Sequence, residues 1–286
     1  MDASLLAIAL GLFSAVTLAS ANVSVKMGGD ILLGRAILSA SAALLILPAI
    51  FFVPAPDAAV WEALAYALPA HLFYQICMIR ALQRGDLSLV FPVMRGAAPL
   101  LTAFAALFIL GEELSPLAWA GLVLATLAVA AFALPPQGSG IRDHPHAVAL
   151  FWAAMTAVGI ALYNVADARG VRAAPNPFTY VAWLFLLDGI AVILLAMVLR
   201  RGAIAATLRT RWQYGVAGGA LSILSFGSAL YAFTLLETAK VSALRETAVV
   251  FAALMGTTFL GESFGRRRIA AAVALAAGLL LMQFGR

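Results

Sequence analysis

Residues Arg95–Glu112 read RGAAPLLTAFAALFILGE, and 150 positions later residues Arg245–Glu262 read RETAVVFAALMGTTFLGE. Each stretch starts at an arginine, runs through apolar residues and closes on a Gly-Glu pair, Gly111-Glu112 and Gly261-Glu262. Slightly upstream the offset becomes 151, which places Ala81-Leu82 on Ala232-Phe233, Asp86 on Glu237 and Val90 on Val241. At an offset of 142, Asn22-Val23 matches Asn164-Val165, with a basic residue, Lys26 or Arg169, just beyond. Shared apolar composition imitates part of this, but not an arginine at one spacing before Gly-Glu. The chain therefore carries an internal repeat.

The composition around the repeat dictates the solvent. Of 286 residues, 64% are hydrophobic and 11% charged, against about 45–50% and about 25% in soluble domains. A soluble globular protein is excluded. Apolar runs fall at about Ala3–Val25, Ile31–Val53, Trp61–Ile79, Leu87–Leu110, Leu117–Leu134, Ala147–Asp167, Pro177–Leu199, Trp212–Leu236, Val241–Leu260 and Ile269–Phe284. Runs of about 20 apolar residues suit a bilayer crossing, and in lipid a helix satisfies its own backbone polar groups. The most polar linker, Pro135–His146 (PPQGSGIRDHPH), divides the chain near its middle. The expected organisation is a first five-helix repeat over 1–137, a polar linker over 138–146 and a second five-helix repeat over 147–286. An odd number of crossings starts the second repeat on the opposite side, so the repeats are inverted. The expected fold is an all-α membrane protein, with ten transmembrane helices as two inverted five-helix repeats around a central cavity. Such repeats are characteristic of secondary transporters, whose binding sites lie near the midplane. No room remains for a nucleotide-binding or soluble catalytic domain, which argues against ATP-driven transport.

Lys and Arg number 18 against 13 Asp and Glu, a net charge of +5. The basic residues concentrate between apolar runs, where they orient the chain and do not suggest nucleic-acid binding. With the N-terminus outside, the inner loops hold Lys26, Arg80, Arg84, Arg142, Arg200, Arg201, Arg209, Arg211 and Arg266 to Arg268, against Arg169, Arg172, Lys240 and Arg286 outside. That tally puts both termini on the same, outer side. Met1 to Leu6 lacks a basic n-region, so the first run reads as a helix and not a removed signal peptide. The single cysteine, Cys77, permits neither an internal disulfide nor a cysteine metal cluster.

The five-plus-five pattern, the Ala81-Leu82 and Ala232-Phe233 links and the two Gly-Glu pairs together resemble the drug/metabolite transporter superfamily, in its ten-helix EamA-like branch of bacterial exporters. The resemblance covers nearly the whole chain. It implies a multi-pass protein of the bacterial inner membrane that exports amino acids or related metabolites, proton-coupled or facilitative, with no cofactor. It also implies a cavity lined by the first four helices of each repeat, and peripheral fifth helices in a monomer or homodimer. Members are drawn with both termini in the cytoplasm, opposite to the charge tally.

Candidate site residues follow from polarity at depth. Arg95 and Arg245 lie inside apolar runs, where a charge costs about 2.5–3.5 kcal/mol, so each must face protein or water. Either holds an anionic group such as a substrate carboxylate, or pairs structurally, Arg245 with Glu246. Glu246 is also a candidate for proton coupling, as a carboxyl group at depth can exist in both protonation states. Pro92, Gly96 and Pro99 predict an interrupted helix around Arg95; Glu246 and Thr247 replace the prolines in the second copy.

On the third run His71, Tyr74, Gln75 and Met78 recur at i, i+3, i+4 and i+7 and share a face. This face lines a cavity, with His71 a candidate proton relay, or it holds a histidine bonded between helices. The repeat places Ser222, Ser225 and Phe226 at the matching sites of the eighth run. The sixth run presents Trp152, Thr156, Gly159 and Tyr163 on one stripe with Asn164 beside it, suited to an apolar or aromatic side chain, to an interfacial belt or to core packing. Ser14, Thr17 and Ala21 on the first run suit close helix approach. Asp188 is read as the only acid at a helix centre, a structural partner for Arg35. The Gly-Glu pairs mark helix ends.

The function expected is secondary transport of a small zwitterionic or anionic metabolite, most simply an amino acid. A multidrug or other organic-solute exporter ranks lower, because arginines outnumber free acids at the midplane. A membrane-embedded enzyme ranks lowest: there is no His-Glu-x-x-His motif, no Gly-x-Ser-x-Gly elbow and, with Asp188 alone at depth, no aspartate pair.

Overall fold

A computed structural model describes residues 3–27, 31–84, 87–132, 147–200, 204–251 and 266–284. The linker over 138–146 and the second Gly-Glu pair, Gly261-Glu262, lie outside the described residues.

The described elements are all helical: α1 (Ala3–Met27), α2 (Ile31–Ile46) with a 3-10 extension (Leu47–Phe51), α3 (Ala58–Leu82), α4 (Leu87–Gly96), α5 (Ala98–Leu110), α6 (Pro116–Phe132), α7 (Ala147–Ala173), α8 (Pro177–Arg200), α9 (Ile204–Ala232), α10 (Thr238–Arg245) and α11 (Arg266–Phe284). Among the described residues six stretches are long and apolar enough to cross a bilayer: Ala3–Ala21, Leu32–Phe51, Val93–Leu110, Ala147–Ala173, Pro177–Arg200 and Ala205–Ala232. α6 and α11 are apolar but shorter. α3 is not among the six; its buried face carries His71 and Gln75, which lowers its apolar character. Outward positions such as Phe108, Leu44 and Val198 are large, apolar and uncovered, as lipid contact requires.

Two helices extend well beyond the apolar runs read in the sequence. α7 runs six residues past Asp167, and α9 begins at Ile204, eight residues before Trp212, because charged residues at a helix end remain helical where their side chains reach water or a partner.

The chain forms two compact units, Met1–Leu72 with Ala166–Leu236, and Phe73–Val165 with Glu237–Arg286. Each draws on both halves of the sequence, and the divisions fall within α3, within α7 and between α9 and α10.

In the first unit α1 packs along α9, and α2 packs on α8 and α9. The seams are built from small residues, as expected where lipid supplies no hydrophobic drive and backbones must approach closely. A Cβ on Gly219 would lie 2.8 Å from the Ala42 amide nitrogen, and one on Gly189 2.8 Å from the Ser39 carbonyl. Ser225 donates to the Ser14 carbonyl at 2.8 Å, tying α9 to α1. Arg172 donates through Nε to the Phe233 carbonyl (2.7 Å) and through its terminal nitrogen to that of Leu236 (3.2 Å). It thereby satisfies orphan carbonyls beyond the C-terminal end of α9.

In the second unit α6 and α11, the expected fifth helices, are each other's partner. They cross at Gly121 and Gly278. A Cβ on Gly121 would stand 2.5 Å from the Gly278 carbonyl and 2.7 Å from the Met282 amide; one on Gly278 would stand 2.7 Å from the Gly121 carbonyl. Backbone cannot yield as a side chain does, so Gly121→Ala is expected to destabilise the protein by about 1–3 kcal/mol. Thermal unfolding of the purified protein measures it; an unchanged transition contradicts this crossing.

Gly111 ends α5 in the left-handed conformation (φ 68°), the helix-terminating role expected of it. Glu112 does more than mark an end. One carboxylate oxygen accepts the Thr238 amide (2.8 Å) and the other the Thr238 hydroxyl (2.7 Å), placing negative charge at the N-terminus of α10 where the helix dipole favours it.

Candidate functional site

Both stretches that define the repeat are broken at corresponding places. After Arg95 the helix stops at Ala97 and restarts as α5. Pro99 lacks the amide that would bond the Arg95 carbonyl, as the sequence predicts. After Arg245 the chain turns at Glu246 and Thr247 without any proline. There the Glu246 and Thr247 amides bond three residues back, to Ala243 (3.0 Å) and Leu244 (3.2 Å), and the Thr247 hydroxyl takes the Leu244 carbonyl at 2.7 Å. A side-chain hydroxyl competing for a backbone acceptor substitutes for proline here. α10 packs against α5.

The second unit gathers most of the predicted site residues. Arg95 (9% exposed), Arg245 (5%) and Glu246 (3%) are buried, and Arg95 Nε lies 3.1 Å from Glu246 Oε2. The ion-pair partner of Glu246 is therefore Arg95, brought to it by the packing of α5 on α10, while its neighbour Arg245 also interacts with it electrostatically. That contact is an ion pair without good hydrogen-bond alignment, and Glu246 Oε2 has no other hydrogen-bond partner. Tyr74 and Tyr163 interact electrostatically with both arginines. Their rings meet edge to face with centroids 5.2 Å apart, and the Tyr74 hydroxyl donates to the Met78 sulfur at 3.3 Å. Gly159 makes this possible, since a Cβ there would lie 2.9 Å from Tyr74 Cα.

Asn164 is 1% exposed. Its amide nitrogen donates to Thr102 Oγ1 and Ser242 Oγ, each at 3.2 Å, while its carbonyl oxygen is buried with no hydrogen-bond donor. Gln75 is buried on the same helix as Tyr74. Trp152 packs near Met78, Val90 and Met94, with the Arg80 guanidinium 5.9 Å from its ring. It lies eleven residues before Tyr163 on α7, about 16 Å along the axis, and packs against the same apolar cluster as Tyr74.

His71 and Ser225 belong to the first unit. Ser225 is spent on Ser14. His71 Nε2 lies 2.9 Å from Asp167 Oδ2, its ring stands edge-on to Phe226 at 5.6 Å, and Tyr180 donates to Asp167 Oδ1 at 2.8 Å. Asp167 is fully buried inside α7. The expectation of a solitary Asp188 is thus corrected: Asp188 interacts electrostatically with His71, Arg35 and Asp167.

Sequence reasoning missed Asp167, Tyr180, Thr102 and Ser242. Asp167 carried a signal, for it lies one turn beyond Tyr163 on the stripe of Trp152, Thr156 and Gly159. Thr102 lies two turns after Arg95 on its face. Tyr180 carried none. Among the described residues no group of three or more His, Cys, Asp or Glu side chains is placed to hold a metal.

No curated protein matches the sequence. One solved crystal structure, described only as that of a protein, is similar in fold with a TM-score of 0.74 at 15% identity, over 96% of this chain and 95% of that one; at that identity the likeness concerns fold alone. Residues 147–284 match the EamA-like transporter family. With helices apolar enough to cross a bilayer several times and that match over residues 147–284, the chain is a multi-pass membrane protein whose C-terminal half is similar to the EamA-like transporter family.

Proposed function

We propose that this protein exports amino acids across the bacterial inner membrane by alternating access, using ten helices in two inverted five-helix repeats. The observation that carries the reading is the convergence of Arg95 and Arg245, one from each repeat, on the single carboxylate of Glu246 beside Tyr74 and Tyr163. Two guanidinium groups and one carboxylate give these three side chains a positive balance, which an anionic ligand would offset. Arg95 Nε is turned to Glu246, and Arg245, in the field of the same carboxylate, is the second guanidinium that a substrate carboxylate would meet. The Asn164 carbonyl oxygen, buried without a donor, is a suitable acceptor for the substrate ammonium group. Tyr74, Tyr163, Gln75 and Met78 supply a mixed aromatic and polar wall, with Trp152 further along α7.

A cation-selective multidrug exporter needs an uncompensated carboxylate at depth, and Glu246 is matched by Arg95. That exporter therefore ranks second. In liposomes holding the reconstituted protein and an unlabelled amino acid, counterflow of a labelled panel is expected for one or more amino acids. No exchange of any member by folded protein overturns the amino-acid reading.

A further inference from the structure

The first unit holds a second buried polar cluster that the substrate reading does not use. We propose that His71 and Asp167, braced by Tyr180, form a proton-binding site that couples transport to proton movement; this rests on the chain being the transporter argued above. Asp167 is 0% exposed and Tyr180 0%, with His71 at 7%. Each carboxylate oxygen has its own donor: Tyr180 on Oδ1 at 2.8 Å and His71 Nε2 on Oδ2 at 2.9 Å. A buried carboxylate is expensive at membrane depth, and such residues mark ion and proton pathways. A helix tie alone needs no charge, as the neutral Asn164–Thr102–Ser242 contact in the other unit demonstrates.

The surrounding charges single out the histidine. Asp188 of α8 and Arg35 of α2 are within electrostatic reach of the pair. From α9 the ring of Phe226 faces His71, and α1 has no titratable residue between Ala3 and Ala21. On α3 and α7 themselves Glu62 and Arg169 are half-exposed and bonded to each other at 2.9 Å. Two carboxyl groups, Asp167 and Asp188, stand against the single guanidinium of Arg35 around the imidazole, so His71 is the group of the cluster that can take up a proton as a cation. The step is one N–H bond formed with a proton taken from water on one side of the membrane, and the same bond broken with the proton returned to water on the other. Glu246 has no such need, since the fixed charge of Arg95 already compensates it.

The test uses the full chain in nanodiscs and in liposomes. The imidazole nitrogen-15 signal of His71, assigned by its loss in His71→Gln among the three histidines of the chain, is expected to titrate within roughly pH 5 to 9. Its midpoint is expected to move by at least about one unit in Asp167→Asn. With an amino acid that shows counterflow, wild-type uptake is expected to be accelerated by an imposed pH gradient. His71→Gln and Asp167→Asn are expected to keep counterflow and lose that acceleration at least about tenfold. A His71 that does not titrate, a midpoint unmoved in Asp167→Asn, a wild type indifferent to the gradient, or variants that still respond to it each overturn the proposal. Absence of counterflow with every amino acid fails the substrate reading instead, while the His71 titration, which needs no substrate, still decides the proton site.

Discussion

Arg245→Ala is expected to reduce amino-acid counterflow by about a hundredfold while the protein remains folded. A hydrogen bond to a charged group contributes about 1.5–3 kcal/mol, and every 1.4 kcal/mol is a factor of ten. The loss reflects the ligand and not the scaffold, because Glu246 keeps its ion pair with Arg95 at 3.1 Å. Arg245→Lys retains the charge without the planar fork that matches a carboxylate and is expected to fall between wild type and alanine. Exchange at the wild-type rate in Arg245→Ala would remove the carboxylate role altogether.

Arg95→Ala is expected to act first on stability. It strands Glu246, 3% exposed and without another hydrogen-bond partner for Oε2, and breaking a buried pair from one side costs about 3–5 kcal/mol. Arg245 remains in the same field and offsets part of this. The double variant Arg95→Ala with Glu246→Ala removes both charges and is expected to recover much of the lost stability. Thermal unfolding of the two single variants and the double variant gives the coupling between them. Additive losses would show that the two side chains do not depend on each other.

The repeat, the helical character and the depth of the arginines were legible because each is a property of one segment read along its own axis. Composition set the solvent, apolar run length set the helices, and the Arg-to-Gly-Glu spacing aligned the two copies. Pro99 announced the break after Arg95 by removing a donor. The matching break after Arg245 was not announced, since a threonine ends a helix only when its hydroxyl takes a carbonyl, as Thr247 does with Leu244. Ten crossings were expected, whereas six described stretches meet the length and apolarity a crossing needs; the polar face of α3 and the short spans of α6 and α11 account for part of the difference.

Partnership was the province of tertiary structure. Periodicity assigns a residue to a face of its helix but leaves open which helix that face will meet. Hence Glu246 forms its ion pair with Arg95, 151 positions away, and His71 answers an aspartate 96 positions away. Small-residue positions were visible, but only packing made Gly121 and Gly278 a backbone crossing and Gly159 a seat for Tyr74. By itself the sequence determined a helical, repeated, membrane-spanning chain with arginines at depth, because desolvation of charge and backbone acts locally on every segment. Which buried charges compensate one another was decided only by folding, because that depends on distances between segments far apart in the chain.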